Sequence, residues 1–242
     1  MRNTQFILNV YEKMNSSSKI ATQLLYGEIF KIQKKYKNWI KIKSSYDNYV
    51  GFIKKKNFKP NLISTHKINK LYANLYKKPN KNSKIKNKIS FCSTIKVINK
   101  KNNFYKFDNY WIKKNDVDLI KKKINIFSKI KIFKGIKYKW GGKSFKGIDC
   151  SALVQIFFKY NNKFCPRDSK DQMRFFKKKI NIEYLKKNNL IFWKGHVAVA
   201  LSKNQLVHAY GPLKKVVIMN TYQTIRRIEK TANLRMICIK SI

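Results

Sequence analysis

The chain has 242 residues, of which 43% are hydrophobic, enough for a sizeable core within one catalytic domain and one or two small modules. Lys and Arg number 56 against 11 Asp and Glu, a formal net charge of +45, which at first suggests a polyanion binder. The distribution speaks against nucleic acid: positions 1–120 hold 27 basic residues and 121–242 hold 29, and only six are the arginines favoured for bidentate phosphate recognition. Lysine inflation beside abundant Asn, Ile, Tyr and Phe reads instead as A+T-biased codon drift. The apolar start Phe6-Ile7-Leu8 meets charge within a few residues, so no signal peptide is expected, and no run approaches the roughly 18 apolar residues of a membrane span. These features set the expectation of a cytoplasmic protein, a periplasmic or extracellular one being the lesser choice. Cys92, Cys150, Cys165 and Cys238 show neither a CxxC nor any other metal-ligand spacing, so neither a metal nor a cofactor is expected.

Residues 1–118 contain an internal repeat at an offset of 65. Asn9-Val10-Tyr11-Glu12-Lys13 matches Asn74-Leu75-Tyr76-Lys77-Lys78, Leu24 to Ile32 lies over Ile89 to Val97, and Trp39-Ile40-Lys41-Ile42 lies over Phe104-Tyr105-Lys106-Phe107. A repeat this long is a duplicated domain. Both copies consist of short runs of period 2 separated by polar turns, the pattern of a small all-β barrel. The order Leu25-Tyr26-Gly27-Glu28, Trp39, Asp47-Asn48-Tyr49-Val50-Gly51 resembles bacterial SH3-like domains. The expected layout is SH3-like domain 1 over 1–58, a linker near 59–67, SH3-like domain 2 over 68–117 and a catalytic domain over 118–242.

In that last part, Leu119, Ile120, Ile124, Phe127, Ile130 and Phe133 fall at near-helical spacing and predict a linker helix over 118–133. Residues 150–160 hold no Gly or Pro and predict a buried helix. A second helix is expected to start near Asp168, with Asp168 or Ser169 as its cap. Strands follow at Leu190 to Trp193, His196 to Leu201, Gln205 to Ala209, Lys215 to Met219 and Leu234 to Lys240. Helices first and an antiparallel meander afterwards make an α+β domain.

Cys150 opens the first helix after the glycine-rich approach Trp140-Gly141-Gly142. A helix N-terminus favours a thiolate, so a thiol pKa lowered toward neutrality is expected, with a nucleophilic cysteine as the consequence. His196 and His208 fall on successive strands, where antiparallel pairing makes them neighbours: one as the base, the other as the group that orients it. Asp149 and Asp168 stand near the cysteine in a chain where acidic residues are scarce. His66 carries no such context.

Taken together, Tyr138-Lys139-Trp140-Gly141-Gly142, Asp149-Cys150-Ser151, Pro166-Arg167-Asp168-Ser169, Leu190-Ile191-Phe192-Trp193, Gly195-His196-Val197 and Val207-His208-Ala209 resemble the NlpC/P60 cysteine peptidases over about 119–242. With the SH3-like pair in front, the chain is similar to the cytoplasmic γ-D-glutamyl-L-diamino acid peptidases that recycle murein peptides. The resemblance implies a papain-like α+β catalytic domain behind two small all-β barrels. It implies Cys150 as nucleophile, His196 as base and His208 as the residue polarising it. Tyr138 would help bind the carbonyl oxygen, Asp168 would meet the free amine of an N-terminal L-Ala, Ser169 would help hold the peptide, and Asp149 and Ser151 would line subsites beside the thiol. An SH3-like domain would limit substrates to free N-termini, with Tyr49 and Glu28 as residues to inspect. The chain departs from the pattern at Ala152, where Gly is usual, at Cys165, where an aliphatic residue is usual, and at Asn188-Asn189, which replaces a Gly-Asp turn.

The expected activity is hydrolysis of the γ-D-glutamyl-diamino acid bond in peptidoglycan-derived peptides, without cofactor and without nucleic acid or membrane as partner. The alternative is a catalytically silent SH3-type peptidoglycan-binding protein.

Overall fold

The computed structural model describes residues 1–242, which fall into two compact units. The first comprises 1–123 with 143–145 and 160–162, and the second the remaining residues.

In the first unit, β1 (Ile7–Tyr11), β2 (Ile20–Leu25), β3 (Phe30–Lys35), β4 (Trp39–Ser44) and β5 (Val50–Lys54) form a sheet in the order β2-β1-β5-β4-β3. Alternation along β1 and β4 sends Leu8, Val10, Ile40 and Ile42 into a core shared with Leu24, Phe30 and Ile53. The second copy supplies β6 (His66–Ile68), β7 (Tyr72–Tyr76), β8 (Lys84–Ser90), β9 (Thr94–Ile95), β10 (Asn99–Lys101), β11 (Phe104–Phe107), β12 (Tyr110–Lys113) and β13 (Val117–Leu119). Its main sheet runs β8-β7-β12-β11-β10, the same order as the first when matched through the repeat. The duplication read from the sequence is therefore a duplication of topology. β6 pairs with both β13 and β9, so the expected linker gives way to strand at His66.

Two buried polar centres hold this unit. Tyr26, at the turn after β2, is buried in the core of the second copy beside Phe107 and Ile112, and its hydroxyl donates to Asp108. Asp108 also accepts a two-pronged bond from Arg2, 3.1 Å on each arm, and pairs with Lys59 at 3.3 Å. The second centre is Lys67, 1% exposed, whose ammonium donates to the carbonyls of Ile120 (3.0 Å), Lys122 (2.5 Å) and Tyr160.

The second unit carries β15 (Gly147–Ile148), α1 (Cys150–Tyr160), α2 (Ser169–Phe175) and an antiparallel six-stranded sheet; β14 (Lys143–Ser144) belongs to the first unit. The sheet is built from β16 (Lys179–Ile180), β17 (Leu190–Trp193), β18 (His196–Ala200), β19 (Gln205–Tyr210), β20 (Lys215–Asn220) and β21 (Cys238–Lys240), in the order β16-β21-β17-β18-β19-β20. Rings of Phe127 and Phe133 pack edge-on to Phe157 of α1, and Phe176 packs on Phe158. Ile191, Trp193, Ala198, Leu206 and Ile228 form the main sheet core.

Three sequence expectations are corrected. Residues 118–133 form no α-helix: β13 occupies the start, Phe127 takes a left-handed φ of 64°, and only a 3-10 turn spans Ile130–Phe133. The apolar spacing there reflects burial of Phe127, Ile130 and Phe133 along an irregular segment. A helix absent from the sequence reading, α3 (Thr221–Ala232), follows β20. Asn220 caps it by accepting from the Gln223 N–H at 3.1 Å, and Asn233 closes it at φ 51°, both signals open to a capping analysis. The last strand is correspondingly shorter than expected, Cys238–Lys240.

Asp108 tests the first unit. Burial pushes its carboxyl pKa up, but hydrogen bonds from Arg2 and Tyr26 outweigh this and hold it below the ordinary value. A carboxyl depressed in the folded state stabilises above its unfolded pKa, and this contribution fades as pH falls through the folded value. Asp108→Asn is expected to lower stability to urea at neutral pH, with the difference from wild type narrowing as pH falls and the wild-type carboxyl takes up its proton.

Candidate active site

The site is built around the start of α1. Asp149 occupies the N-cap position, and its Oδ1 accepts from the Ala152 N–H at 2.8 Å and the Ser151 hydroxyl at 3.2 Å. Oδ2 accepts from the Gly141 N–H at 2.9 Å, which ties the approach loop to the helix. That loop needs its glycines: Gly141 has φ 69°, and a Cβ on Gly142 would lie 2.5 Å from the Gly147 carbonyl oxygen. Arg167 closes the arrangement with two bonds to Asp149, 3.0 and 2.5 Å, and a third to the Ser151 hydroxyl at 2.9 Å. Arg167 is 3% exposed and Asp149 6%. Asp149 and Ser151, expected beside the substrate, are thus turned inward onto an arginine that the sequence reading quoted only as part of a motif. Gln172 of α2 adds a 2.9 Å bond to the Ser151 carbonyl.

Cys150 follows, buried and unpaired. Its Sγ lies 4.0 Å from the Gly195 carbonyl and is also approached by the Val197 N–H, so it touches the backbone on both sides of His196. Gly195, at φ 73°, permits the two-residue turn that starts β18 with His196. The register Val199↔Val207 and Ala200↔Leu206, continued along the strands, puts Ala198 opposite His208 and His208 diagonal to His196. The small Ala198 leaves space for the diagonal contact, and His196 Nε2 meets His208 Nδ1 at 2.9 Å. Of the three residues expected to form the catalytic set, His196 and His208 are thus in direct contact, and Cys150 lies against the backbone on either side of His196. Tyr210 stacks on His208, with ring centroids 4.6 Å apart, and Trp193 lies 5.5 Å from His196.

The electrostatics depart from the expected lowered thiol pKa. Burial, then the neighbouring Asp149 carboxylate, push the Cys150 thiol up to about 12, against the opposing pull of the Val197 N–H and Arg167. The acidic N-cap offsets the positive helix end that would have favoured a thiolate. Burial lowers His196 to about 4 and, with His196 as neighbour, lowers His208 well below its ordinary value. The resting pair is consequently neutral thiol and neutral imidazole, suited to proton removal by a general base as the carbonyl is attacked.

Tyr138 bridges in parallel to Ile148, two residues before Cys150, and donates its N–H to the Lys214 carbonyl at 2.8 Å. Burial and the nearby Cys150 and Asp149 raise its pKa, so the phenol keeps its proton as a donor. Asp168 is exposed at the N-cap position of α2 and makes no side-chain cap bond, while Ser169 is buried as the first helical residue. The unusual Asn188 takes φ 73°, a conformation suited to the glycine it replaces, and Asn189 Oδ1 accepts from the Lys186 N–H at 2.8 Å, supplying the acceptor that a carboxylate would. Glu28 pairs with Lys143 at 3.2 Å, both nearly fully buried in the first unit.

Asp149→Ala leaves the buried Arg167 without its carboxylate and is expected to destabilise the protein by about 3–5 kcal/mol in urea unfolding. Asp149→Asn combined with Arg167→Met should recover part of that loss.

Comparison with known proteins adds to this geometry. Residues 135–233 match the NlpC/P60 family model, and residues 10–58 match the bacterial dipeptidyl-peptidase Sh3 domain. The γ-D-glutamyl-L-lysine dipeptidyl-peptidase of Bacillus subtilis (strain 168) is 26% identical over 240 residues, covering 88% of this chain and 80% of that protein. Dipeptidyl-peptidase 6 of Lysinibacillus sphaericus is 42% identical over 72 residues, which span 30% of this chain and 27% of that protein. The crystal structure of an NlpC/P60 family protein from Bacillus cereus ATCC 10987 superposes with a TM-score of 0.84 at 19% identity, covering 99% of this chain and 98% of that one. The chain carries an NlpC/P60 domain of the cysteine-peptidase type and a bacterial SH3 domain, homologous to those of the γ-D-glutamyl-L-lysine dipeptidyl-peptidases.

Proposed function

We propose that the protein hydrolyses the γ-D-glutamyl-diamino acid bond of short peptidoglycan-derived peptides that begin with a free L-Ala amine, as a step in murein peptide recycling or cell-wall turnover. The observation that carries this reading is the junction of the Cys150 thiol with the backbone flanking His196, backed by the 2.9 Å contact between His196 and His208. His196 takes the thiol proton as Sγ attacks the γ-carbonyl carbon, and the Tyr138 hydroxyl donates to the oxygen that gains charge. The C–N bond then breaks, His196 returns its proton to the leaving amine, and the acyl group remains on Cys150. Water, deprotonated by the same imidazole, attacks the thioester and releases the γ-carboxylate and the thiol. Asp168 supplies an exposed carboxylate to pair with the substrate ammonium. The four cysteines form no disulfide, which suits a reducing compartment, and we place the activity in the cytoplasm. The name of the Bacillus subtilis relative supports the bond chosen. A silent binding protein would have no need of an intact Cys150, His196 and His208 set.

Incubation with L-Ala-γ-D-Glu-diaminopimelate should release L-Ala-D-Glu and free diaminopimelate, and Cys150→Ala should abolish this. Absence of cleavage, or cleavage that survives Cys150→Ala, would overturn the proposal. Acetylating the L-Ala amine should reduce kcat/KM by about 100-fold, on the scale of a lost charge-assisted contact, and Asp168→Asn should erase most of that discrimination. Equal turnover of both peptides would remove Asp168 from amine recognition. Because the resting thiol is held up to about 12, alkylation of Cys150 by iodoacetamide should keep accelerating to about pH 10. A plateau near neutrality would instead reveal a preformed thiolate.

A further inference from the structure

Behind His208 lies a contact that the catalytic set does not account for. His208 Nδ1 is engaged with His196, and its other nitrogen, Nε2, lies 3.5 Å from the Met219 sulfur. Met219 stands on β20, opposite Leu206 and two residues along from Val217, the partner of His208, so it reaches the ring diagonally. A thioether accepts hydrogen bonds and has no proton to give.

We propose that Met219 is a positioning residue that fixes the tautomers of both histidines and thereby leaves the base of the peptidase ready to accept a proton. This rests on the peptidase reading given above. With sulfur as the acceptor, the His208 proton sits on Nε2 and its Nδ1 holds a lone pair. His196 must then donate from Nε2, which leaves His196 Nδ1 bare for the proton of Cys150. The reverse arrangement protonates His208 on Nδ1 and turns its Nε2 lone pair toward the sulfur lone pairs. It also moves the His196 proton to Nδ1, where it blocks the base. Neither ring can switch alone, because the 2.9 Å contact between them carries one proton. Tyr210, stacked on His208, and the buried Trp193 beside His196 hold both rings in place, so the sulfur chooses the tautomer without choosing the orientation.

The role resembles that of the third residue in a triad, moved one residue outward and performed by a neutral, weak acceptor. A weak acceptor suffices because it has only to separate two neutral tautomers. It adds no charge that would draw a proton onto the imidazoles.

The test uses the full chain with Met219→Leu, which keeps the volume and removes the acceptor, and Met219→Gln, which restores a neutral acceptor. Ring-nitrogen NMR of the resting proteins reads the tautomers directly, and turnover of L-Ala-γ-D-Glu-diaminopimelate reads the consequence. Wild type should show His196 protonated on Nε2 and bare on Nδ1. Met219→Leu should show mixed tautomers in both rings, with kcat lowered about tenfold and KM within about twofold, a fraction of what a general base contributes. Met219→Gln should return the wild-type tautomers and most of kcat. Wild-type tautomers and wild-type kcat in Met219→Leu would overturn the proposal. So would a loss in Met219→Leu that the neutral acceptor of Met219→Gln fails to restore, since that pattern belongs to packing alone. If wild type leaves the peptide intact, the substrate reading fails, and the ring-nitrogen spectra still decide the role of Met219.

Discussion

The buried pair of Asp149 and Arg167 is the constraint on which the catalytic unit depends. One carboxylate caps α1, holds the Gly141 loop, orients Ser151 and receives a two-pronged guanidinium. Each bond removes a donor that would otherwise be left unsatisfied at a buried helix start. After burial, the same carboxylate is the next influence that keeps the nucleophile protonated. A helix beginning with a neutral cap would present its positive end to Cys150, whereas here a negative group next to the sulfur offsets it. Architecture and reactivity are coupled through one side chain, and the chemistry falls to a base acting on a protonated thiol.

Much of this was legible in the sequence because the decisive features are local. A cysteine after Gly-Ile-Asp, two strands with a histidine on each, and a three-residue turn between them set the partners before any coordinates. The duplication was legible for the same reason: apolar alternation survives where individual residues drift, and strand order then follows. What escaped was decided by distant packing. Residues 118–133 have a helical spacing of apolar groups, yet Phe127 in a left-handed conformation and the pairing of β13 with β6 exclude a helix. The inward role of Asp149 depends on Arg167, 18 positions away, and a local motif cannot show which way a carboxylate turns. The helix at Thr221 was within reach, since its Asn caps are sequence signals.

The lysine excess takes on a different aspect beside the structure. Most of it lies on solvated faces, but Lys67 and Lys143 are almost wholly buried and fully engaged, one by backbone carbonyls and the other with Glu28. Similarly, aspartates are few but concentrated: Asp108, Asp118 and Asp149 each serve several donors at once. Drift toward one residue type has been absorbed at the surface, while a small number of carboxylates satisfy the interior.

The meander that carries His196 and His208 has a consequence for how this protein is handled. Strand side chains alternate between faces, so a slip of β19 by one residue against β18 sends His208 to the opposite face and Val207 or Ala209 into its place. Such a misfolded form would keep its secondary structure and much of its compactness, yet it could not assemble the histidine pair. Hydrolytic turnover is thus a readout of strand register, sensitive to an error of one residue that a circular dichroism spectrum would pass over.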